Sequence, residues 1–262
     1  MAEETQYEAT TGMVTISTAN SNLDGTGTIE TVLTAASDGT LIKSITVKAQ
    51  VNTTQGMVRL FIYDTSNTRL VSEIEIPAVT KSATDPAFEI TIPVEFALKS
   101  GWSLKASTEN AETFNVIAEG LSWSYYSTSV RPESSNYTAN CGMAVISTAN
   151  SNLDGTGTIG TVLTATADIK GTVIQSIIIK SQETTEAGMI RLFLYDGSNT
   201  KLFKEISVEA TTQTGTAHSF SKRVDFDGQG FALADSWLLK ASTEKGDTFN
   251  VIAEGLDWEY PA

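Results

Sequence analysis

ISTANSNLDGTGTIETVLTA, residues 16–35, decides the organisation of this chain because it occurs twice. Residues 146–165 read ISTANSNLDGTGTIGTVLTA and match it at 19 of 20 positions, at an offset of 130. A match of this length within one chain indicates a duplicated structural unit, so the period of the repeat is considered before any local pattern.

The similarity continues on the C-terminal side of this stretch. GMVRLFIYD (56–64) recurs as GMIRLFLYD (188–196), and LKASTENAETFNVIAEGL (104–121) recurs as LKASTEKGDTFNVIAEGL (239–256). The offset grows from 130 to 132 and then to 135, which indicates insertions in loops.

Each repeat is about 125 residues long, which is the size of an ordinary domain. We therefore predict two tandem domains, residues 1–128 and residues 129–262, rather than a solenoid of small units. The joint, YSTSVRPESSNYTAN (126–140), is polar and has no hydrophobic periodicity.

Within a repeat the hydrophobic pattern has period two, as in Ile45, Val47 and Ala49, and this pattern is typical of half-buried strands. The chain contains 38 threonines, a residue that favours pleated sheets, and it has no convincing helical segment. Pro93 indicates an edge strand or a bulge. We predict an all-β fold of two antiparallel β-sandwich domains, jelly-roll-like rather than immunoglobulin-like, with first-repeat strands at 13–18, 28–35, 41–51, 56–63, 69–76, 87–97, 102–108 and 113–124.

The charge balance excludes several classes of partner. Seventeen basic and 31 acidic residues give a net charge of −14, which disfavours nucleic acids and anionic membrane surfaces. Cys141 is the only cysteine, so no intrachain disulfide is expected. The first ten residues, MAEETQYEAT, do not resemble a secretory signal, and no apolar run is long enough for a transmembrane helix.

Three patterns suggest catalysis, and each has a simpler interpretation. His218, the single histidine, lies in a loop-like stretch and has no counterpart in the first repeat. LDGTG (23–27 and 153–157) resembles the Asp-Thr-Gly loop of aspartic proteases, but a glycine separates Asp from Thr, so a tight turn is preferred. Carboxylates that recur in both repeats would suit glycoside hydrolysis or a solvated rim, namely Glu109, Glu112 and Glu119 with Glu244, Asp247 and Glu254.

A calcium site is the remaining possibility, because Asn20, Asn22 and Asp24 cluster as oxygen ligands would. The same triad recurs as Asn150, Asn152 and Asp154, but the EF-hand spacing fails and these residues also stabilise turns. We predict no catalytic, cofactor-binding or metal-binding residues, and thus a protein that is not an enzyme.

The strand 56–63 offers a candidate interface. Its core face is expected to carry Val58, Leu60 and Ile62, whereas the other face carries arginine and aromatic residues, which are enriched at binding hot spots. The candidate interface residues are Arg59, Phe61 and Tyr63 in the first repeat and Arg191, Phe193 and Tyr195 in the second. Alternatively, another part of the same domain covers this face. We expect a homo-oligomer, specifically a trimer, with these residues as the candidate contacts.

The combination of TANSNLDGTGTI–TVLTA, GM-RLF-YD and LKASTE–TFNVIAEG resembles a family of virion-associated proteins of tailed phages and prophages. The resemblance covers most of both repeats, so this chain is similar to a tandem duplication of the family's single unit. It implies a capsid decoration or auxiliary head protein with jelly-roll-like domains, whose partners are the major capsid protein or other virion proteins. It also implies location in the virion after assembly in the host cytoplasm.

A carbohydrate-binding or adhesin module of a phage or cell surface is the alternative function. β-Sandwiches host sugar-binding sites, and the four tryptophans, Trp102, Trp123, Trp237 and Trp258, would supply aromatic platforms if they were exposed. Their equivalent positions in the two repeats favour core packing instead. An enzyme is the third and least favoured function.

Overall fold

The computed structural model describes residues 3–127, 136–166, 171–212, 219–226 and 230–259. These residues form seventeen β-strands, and none of them lies in a helix. The chain separates into two compact units, residues 1–81 with 87–131 (unit 1) and residues 82–86 with 132–262 (unit 2). The all-β prediction is confirmed.

Unit 1 contains eight strands in two antiparallel sheets. The sheets have the orders β1-β8-β3-β6 and β2-β7-β4-β5, so that the first strand pairs with the eighth, the second with the seventh, the third with the sixth and the fourth with the fifth. This is the pairing of a jelly roll, which settles the topology against the immunoglobulin-like alternative. The strands are β1 (Glu3–Ile16), β2 (Glu30–Thr34), β3 (Thr40–Ala49), β4 (Gly56–Tyr63), β5 (Thr68–Ile76), β6 (Glu89–Leu98), β7 (Ser103–Thr108) and β8 (Phe114–Ser127).

Unit 2 repeats this topology with one difference. Its sheets have the orders β10-β16-β12-β13 and β14-β11-β17-β9, and β15 also pairs with β11. The position of β6 in unit 1 is therefore shared by two short strands, β14 and β15. The strands are β9 (Asn136–Ile146), β10 (Gly160–Thr164), β11 (Thr172–Ser181), β12 (Gly188–Tyr195), β13 (Thr200–Val208), β14 (Ser221–Asp225), β15 (Phe231–Leu233), β16 (Leu238–Thr243) and β17 (Phe249–Glu259).

All eight strands predicted for the first repeat are present, and two details differ from the prediction. β1 begins at Glu3 rather than at residue 13, because it stays paired with β8 over all fourteen of its residues. β8 and β9 extend into the predicted joint, so only residues 128–135 separate them, and those lie outside the described residues. Pro93 lies in β6, an edge strand, next to a register shift, as predicted.

The core of each unit lies between its two sheets. In unit 1 the inner side chains of β4, Val58 and Leu60, pack with Leu104 of β7 and Val116 of β8, and all four are buried. This confirms the core face predicted for β4, with Ile62 partly buried at its end. The described residues contain no helix with the length and apolar character needed to span a membrane.

Candidate functional site

The most strongly repeated stretch of the sequence forms the connection from the first strand of each unit to the second. We call residues 17–29 the Asn20 loop and residues 147–159 the Asn150 loop. Asn20 is 6% exposed, and its amide nitrogen donates to the carbonyl oxygens of Thr26, at 2.9 Å, and Thr28, at 3.0 Å. Its side-chain oxygen accepts from the backbone N–H of Asn22 at 3.0 Å. One buried amide therefore closes the loop.

The outer part of the loop is stabilised by Asp24. Thr26 donates to Asp24 Oδ1 from its hydroxyl, at 2.7 Å, and from its backbone N–H, at 3.0 Å. These bonds hold the pKa of Asp24 below its ordinary value, the hydroxyl bond being the larger cause. Gly27 has a φ of 83°, and a Cβ there would lie 2.7 Å from Asn20 Oδ1, so glycine is required.

The Asn150 loop repeats this arrangement closely. Asn150 donates to the carbonyl oxygens of Thr156, at 2.9 Å, and Thr158, at 3.0 Å, and accepts from the N–H of Asn152 at 3.0 Å. The Thr156 hydroxyl donates to Asp154 at 2.7 Å, which lowers the pKa of Asp154 as in the first unit. The side chains considered as calcium ligands thus form hydrogen bonds within the loop, most of them to Thr156.

An arginine on the neighbouring strand holds each loop against its sheet. Arg59 of β4 donates from Nη1 to the carbonyl oxygen of Asn20 at 3.2 Å and from Nε to Glu73 at 3.0 Å. Its Nη2 lies 3.5 Å from Glu109 Oε1. The guanidinium is buried and shared between two carboxylates, so its charge is neutralised locally. We call Arg59, Glu73 and Glu109 the unit 1 brace.

The unit 2 brace consists of Arg191, Glu205 and Glu244. Arg191 donates from Nη1 to the carbonyl oxygen of Asn150 at 3.0 Å and from Nε to Glu205 at 3.1 Å, and its Nη2 lies 3.5 Å from Glu244. The same three atom pairs occur in both units, with distances that agree within about 0.2 Å, so the repeated sequence encodes the same structural device twice. An arginine without partners in the protein could bind an anion, but Arg191 already has three partners in its own unit.

Each brace has a buried serine beside it. Ser107 pairs with Arg59 in register, and Ser242 pairs with Arg191. Their hydroxyl oxygens have no hydrogen-bond partner among the described residues, and neither does Glu244 Oε2. A bound water is the usual partner of such atoms in a polar interior.

The structure corrects the interface assigned to the outer face of β4 and β12. Phe61 and Phe193 are fully buried, and Phe193 packs with Leu153 of the Asn150 loop and Leu202 of β13. The loop thus covers this face, which is the alternative left open by the sequence. Because neither ring has accessible surface, the two rings provide no anchor for a trimer.

The other candidate interface residues also bond within their own unit. Arg59 and Arg191 form the braces, as described above. The Tyr63 hydroxyl donates to the carbonyl oxygen of Thr65 at 2.8 Å, and that of Tyr195 donates to Gly197 at 2.6 Å. A lysine ammonium lies over each tyrosine ring, at 4.8 Å for Lys105 and Tyr63. Both tyrosines remain partly exposed, so of the six candidate interface residues only these two have surface that a partner could contact.

The structure separates the carboxylates that recur in the sequence. Glu109 belongs to the brace, Glu112 accepts from the backbone N–H of Thr54 at 2.7 Å, and Glu119 accepts from the Ser44 hydroxyl at 2.8 Å. Each of these three carboxylates therefore bonds to a different partner in unit 1. Among the described residues no three His, Cys, Asp or Glu side chains are grouped so that they could hold a metal ion. His218 lies outside the described residues.

The tryptophans that are described pack against their own units. Trp102 is partly buried against the core of unit 1, with the Lys99 ammonium 5.6 Å from its ring centre. The ring of Trp123 lies so close to Gly39 that a Cβ there would be 2.4 Å from it. Trp237 is partly buried, and the side chain of Trp258 is outside the described part of the chain. None of the described rings forms an open platform.

A cleft of about 600 Å³ opens next to the unit 1 brace. Its lining combines apolar residues with two carboxylates, one of which, Glu109, is bonded to Arg59. The lining residues include Met57, Glu75, Ile76, Glu109 and Asn110. This set contains no pair of nucleophile and base.

No family model matches the chain, and no curated protein matches it. The solved structures that are similar to it include three at 10% sequence identity. They are the STIV MCP (TM-score 0.27, covering 100% of this chain and 98% of that one), a triple jelly-roll protein of an archaeal virus turret (0.25, 97% and 57%) and the PBSX exported protein XepA (0.22, 91% and 89%). At such TM-scores the jelly-roll assignment rests on the strand order above.

Proposed function

We propose that the protein is a non-enzymatic structural component of a phage particle, a capsid decoration or auxiliary head protein that binds the outer surface of the shell. Its partners would be the major capsid protein or other virion proteins, and its location would be the virion. The resemblance of both repeats to virion-associated proteins is the reason for choosing this class.

The use made of the repeated loop supports a structural role. The stretch that contains the loop is kept at 19 of 20 positions. The polar side chains of the loop bond within the loop, and the arginine of the brace donates to the backbone carbonyl oxygen of Asn20. In a catalytic or ligand site, by contrast, conserved polar groups converge on an open space. Here they hold a connection rigidly in place, in both units.

A decoration protein would act through added interface. Each bound copy would contribute free energy to the assembled shell and not to its dissociated subunits, so the shell would be stabilised by mass action. Two jelly-roll units in one chain would give each copy two attachment surfaces, and linked surfaces gain effective concentration.

The experiment is to purify particles from the host that encodes this chain and to quantify the chain by mass spectrometry. The proposal requires copurification at a fixed ratio to the major capsid protein, with antibody labelling on the head. Labelling on tail fibres would favour the adhesin alternative, and absence from purified particles would contradict a virion role altogether.

A gain-and-loss experiment tests the stabilising mechanism. Particles from a deletion strain should uncoat at lower temperature than wild-type particles, and addition of the purified full-length chain should restore the wild-type temperature. Particles that bind the chain without any change in uncoating temperature would contradict a cementing role.

A further inference from the structure

β9 differs from the other edge strands of the described sheets. Sheet edges pair readily with other strands, and proteins protect them with charges, prolines or short length. Most edges here have such protection, namely three glutamates in β1, Glu30 in β2, Arg69, Glu73 and Glu75 in β5, Pro93 in β6, two lysines in β13 and Lys222 and Arg223 in β14. β10 is uncharged, but it has only five residues.

β9 is long and has none of these devices. Its eleven residues, NYTANCGMAVI, include no charged residue and no proline. Among the described strands it forms ladder hydrogen bonds with β17 only, along its whole length, while β10 of the other sheet packs closely against its inner side at Gly142. Its other edge therefore presents backbone N–H and C=O groups to which a further strand can bond.

The side chains on the outer face of β9 form an exposed apolar row. The row consists of Ala139, Cys141, Met143 and Val145, all of which are exposed. Met143 is 75% exposed and Val145 is 61% exposed, the two largest values among the large apolar residues described. Leu256 of β17, directly opposite Ala139, extends the row.

We propose that β9 pairs with β9 of a second copy of this chain, antiparallel and about a twofold axis. The sheets of the two copies would then join into one continuous sheet. This inference is independent of the proposed virion role.

Charge is the argument for a second copy as the occupant. At a net charge of −14, two copies repel each other wherever acidic surfaces meet. Pairing of β9 with β9 brings together two uncharged strands. The neighbouring carboxylate, Glu254 opposite Cys141, is paired with Arg223 at 3.3 Å. By contrast, β1 placed against β1 would bring glutamates from both copies to one edge.

The side-chain sequence of β9 also suits pairing with itself. Full overlap of residues 136–146 with their twofold mates places Cys141 opposite Cys141 of the second copy. Met143 then lies opposite Ala139 of the second copy, so a large and a small side chain alternate across the seam. The paired backbones would exchange about ten hydrogen bonds.

The first test measures the mass of the full-length chain by sedimentation velocity under reducing conditions, at about 10 and about 100 μM. The proposal requires a dimer that gains population with concentration. Met143→Lys should shift the population to monomer without loss of the β-sheet circular dichroism spectrum, because a lysine on an edge strand opposes pairing. The matched control is Val71→Lys, which changes an apolar residue 48% exposed on the charged edge strand β5 and should leave the dimer intact.

The second test fixes the register with a disulfide. Directly opposed residues of antiparallel strands have Cα atoms about 4.5–5.5 Å apart, within disulfide reach. Mild oxidation should therefore link two copies through Cys141. In a variant with Cys141→Ser and Ala139→Cys the introduced thiols would be about 14 Å apart and should react far more slowly.

Three outcomes would overturn the proposal. A chain that stays monomeric at both concentrations would exclude a second copy and would leave the edge to a strand of another protein. Equal cross-linking rates for the two cysteine positions would exclude this register. A dimer that survives Met143→Lys and dissociates with Val71→Lys would place the contact on β5.

Discussion

The Asn20 and Asn150 loops have identical sequences and repeat the same hydrogen bonds of asparagine and aspartate, yet they differ in burial. Leu23 is 51% exposed, whereas its equivalent, Leu153, is 8% exposed. The brace carboxylates differ in the same direction, because the Glu73 side chain is 41% exposed and that of Glu205 is 2% exposed. Identical local geometry thus lies in two different dielectric environments.

The difference originates outside the loops. In unit 2 the loop packs onto Leu202 of β13, which is fully buried and belongs to one cluster with Leu153 and Phe193. In unit 1 the equivalent of Leu202 is Leu70 of β5, which is only partly buried. The comparison shows that hydrogen bonds define the loop conformation, while the neighbouring strand determines how much the loop contributes to stability.

The largest expected effect tests what the two units share. Phe61→Ser and Phe193→Ser should each destabilise their unit by about 4–5 kcal/mol, because each removes a fully buried ring and buries a hydroxyl. Urea unfolding, followed by hydrogen exchange of peptides from each unit, measures the loss. Phe→Leu at the same positions is the control and should cost less than about 1.5 kcal/mol. A folded Phe61→Ser variant that only changes oligomeric state would restore the interface interpretation.

The second prediction concerns the brace carboxylates, whose burial differs between the two units. Arg191→Met should destabilise unit 2 by about 3–5 kcal/mol, because it leaves the carboxylate of Glu205 buried without its guanidinium partner. Arg59→Met should cost about 1–2 kcal/mol, since Glu73 can be solvated. The free energy of unfolding of each variant measures the difference.

A rescue variant separates the lost ion pair from lost packing. Adding Glu205→Leu to Arg191→Met should recover part of the stability of unit 2, because the most deeply buried carboxylate of the brace is then removed. Glu244, whose side chain is 20% exposed, still loses its guanidinium partner and limits the recovery. Equal losses for Arg59→Met and Arg191→Met would contradict the role assigned to burial.

The strands were predictable because their signal is local. Alternation identifies Val58 and Leu60 as one face of β4, and turn residues mark most strand ends. β1 is the exception, since the polar segment before Met13 has little alternation and is a strand only because β8 supplies a partner as far as Ser127. The pairing of two strands about a hundred residues apart leaves no periodic pattern in the local sequence.

The role of the repeated loop was only partly predictable. The repetition of the stretch indicates its importance, and the bonds from Thr26 to Asp24 with the positive φ of Gly25 and Gly27 agree with the turn interpretation of LDGTG. The brace was not foreseen, because Arg59 and Asn20 are 39 residues apart and alternation cannot say whether an outer face is covered. The signal that would have found it is an arginine between apolar residues on a strand, with one glutamate on a neighbouring strand and a second glutamate directly after the other neighbouring strand.

The third prediction sharpens the comparison within the loops themselves. Leu153→Ala should raise the opening rate of the Asn150 loop and destabilise it by about 2 kcal/mol, because a buried contact with Phe193 and Leu202 is lost. Leu23→Ala should change the Asn20 loop by less than about 1 kcal/mol, since half of Leu23 is already exposed to water. Hydrogen exchange of the two loop peptides measures both effects. A larger loss of stability from Leu23→Ala than from Leu153→Ala would contradict the role assigned to burial.

The smallest expected effect concerns the hairpins that follow β4 and β12. Backbone N–H groups of Asn67 and Ser66 donate to Asp64 and lower its pKa from 3.8 to about 2. A carboxyl group with a lowered pKa in the folded state adds stability above its unfolded pKa, and this contribution is lost as the pH falls from about 4 to about 2. Asp196, bonded likewise to Asn199 and Ser198, has its pKa lowered against the opposing effect of burial.

Asp64→Asn should therefore flatten the pH dependence of hairpin opening in unit 1 while leaving that of unit 2 unchanged. Peptide-resolved hydrogen exchange at pH 2, 3, 4 and 6, corrected for intrinsic exchange rates, would measure both hairpins in one sample. Because Asp64 is at the protein surface, its solvation limits the effect, and the wild-type chain should remain folded throughout. An Asp64→Asn variant whose unit 1 hairpin still opens on acidification as much as in the wild type would show that another group controls it.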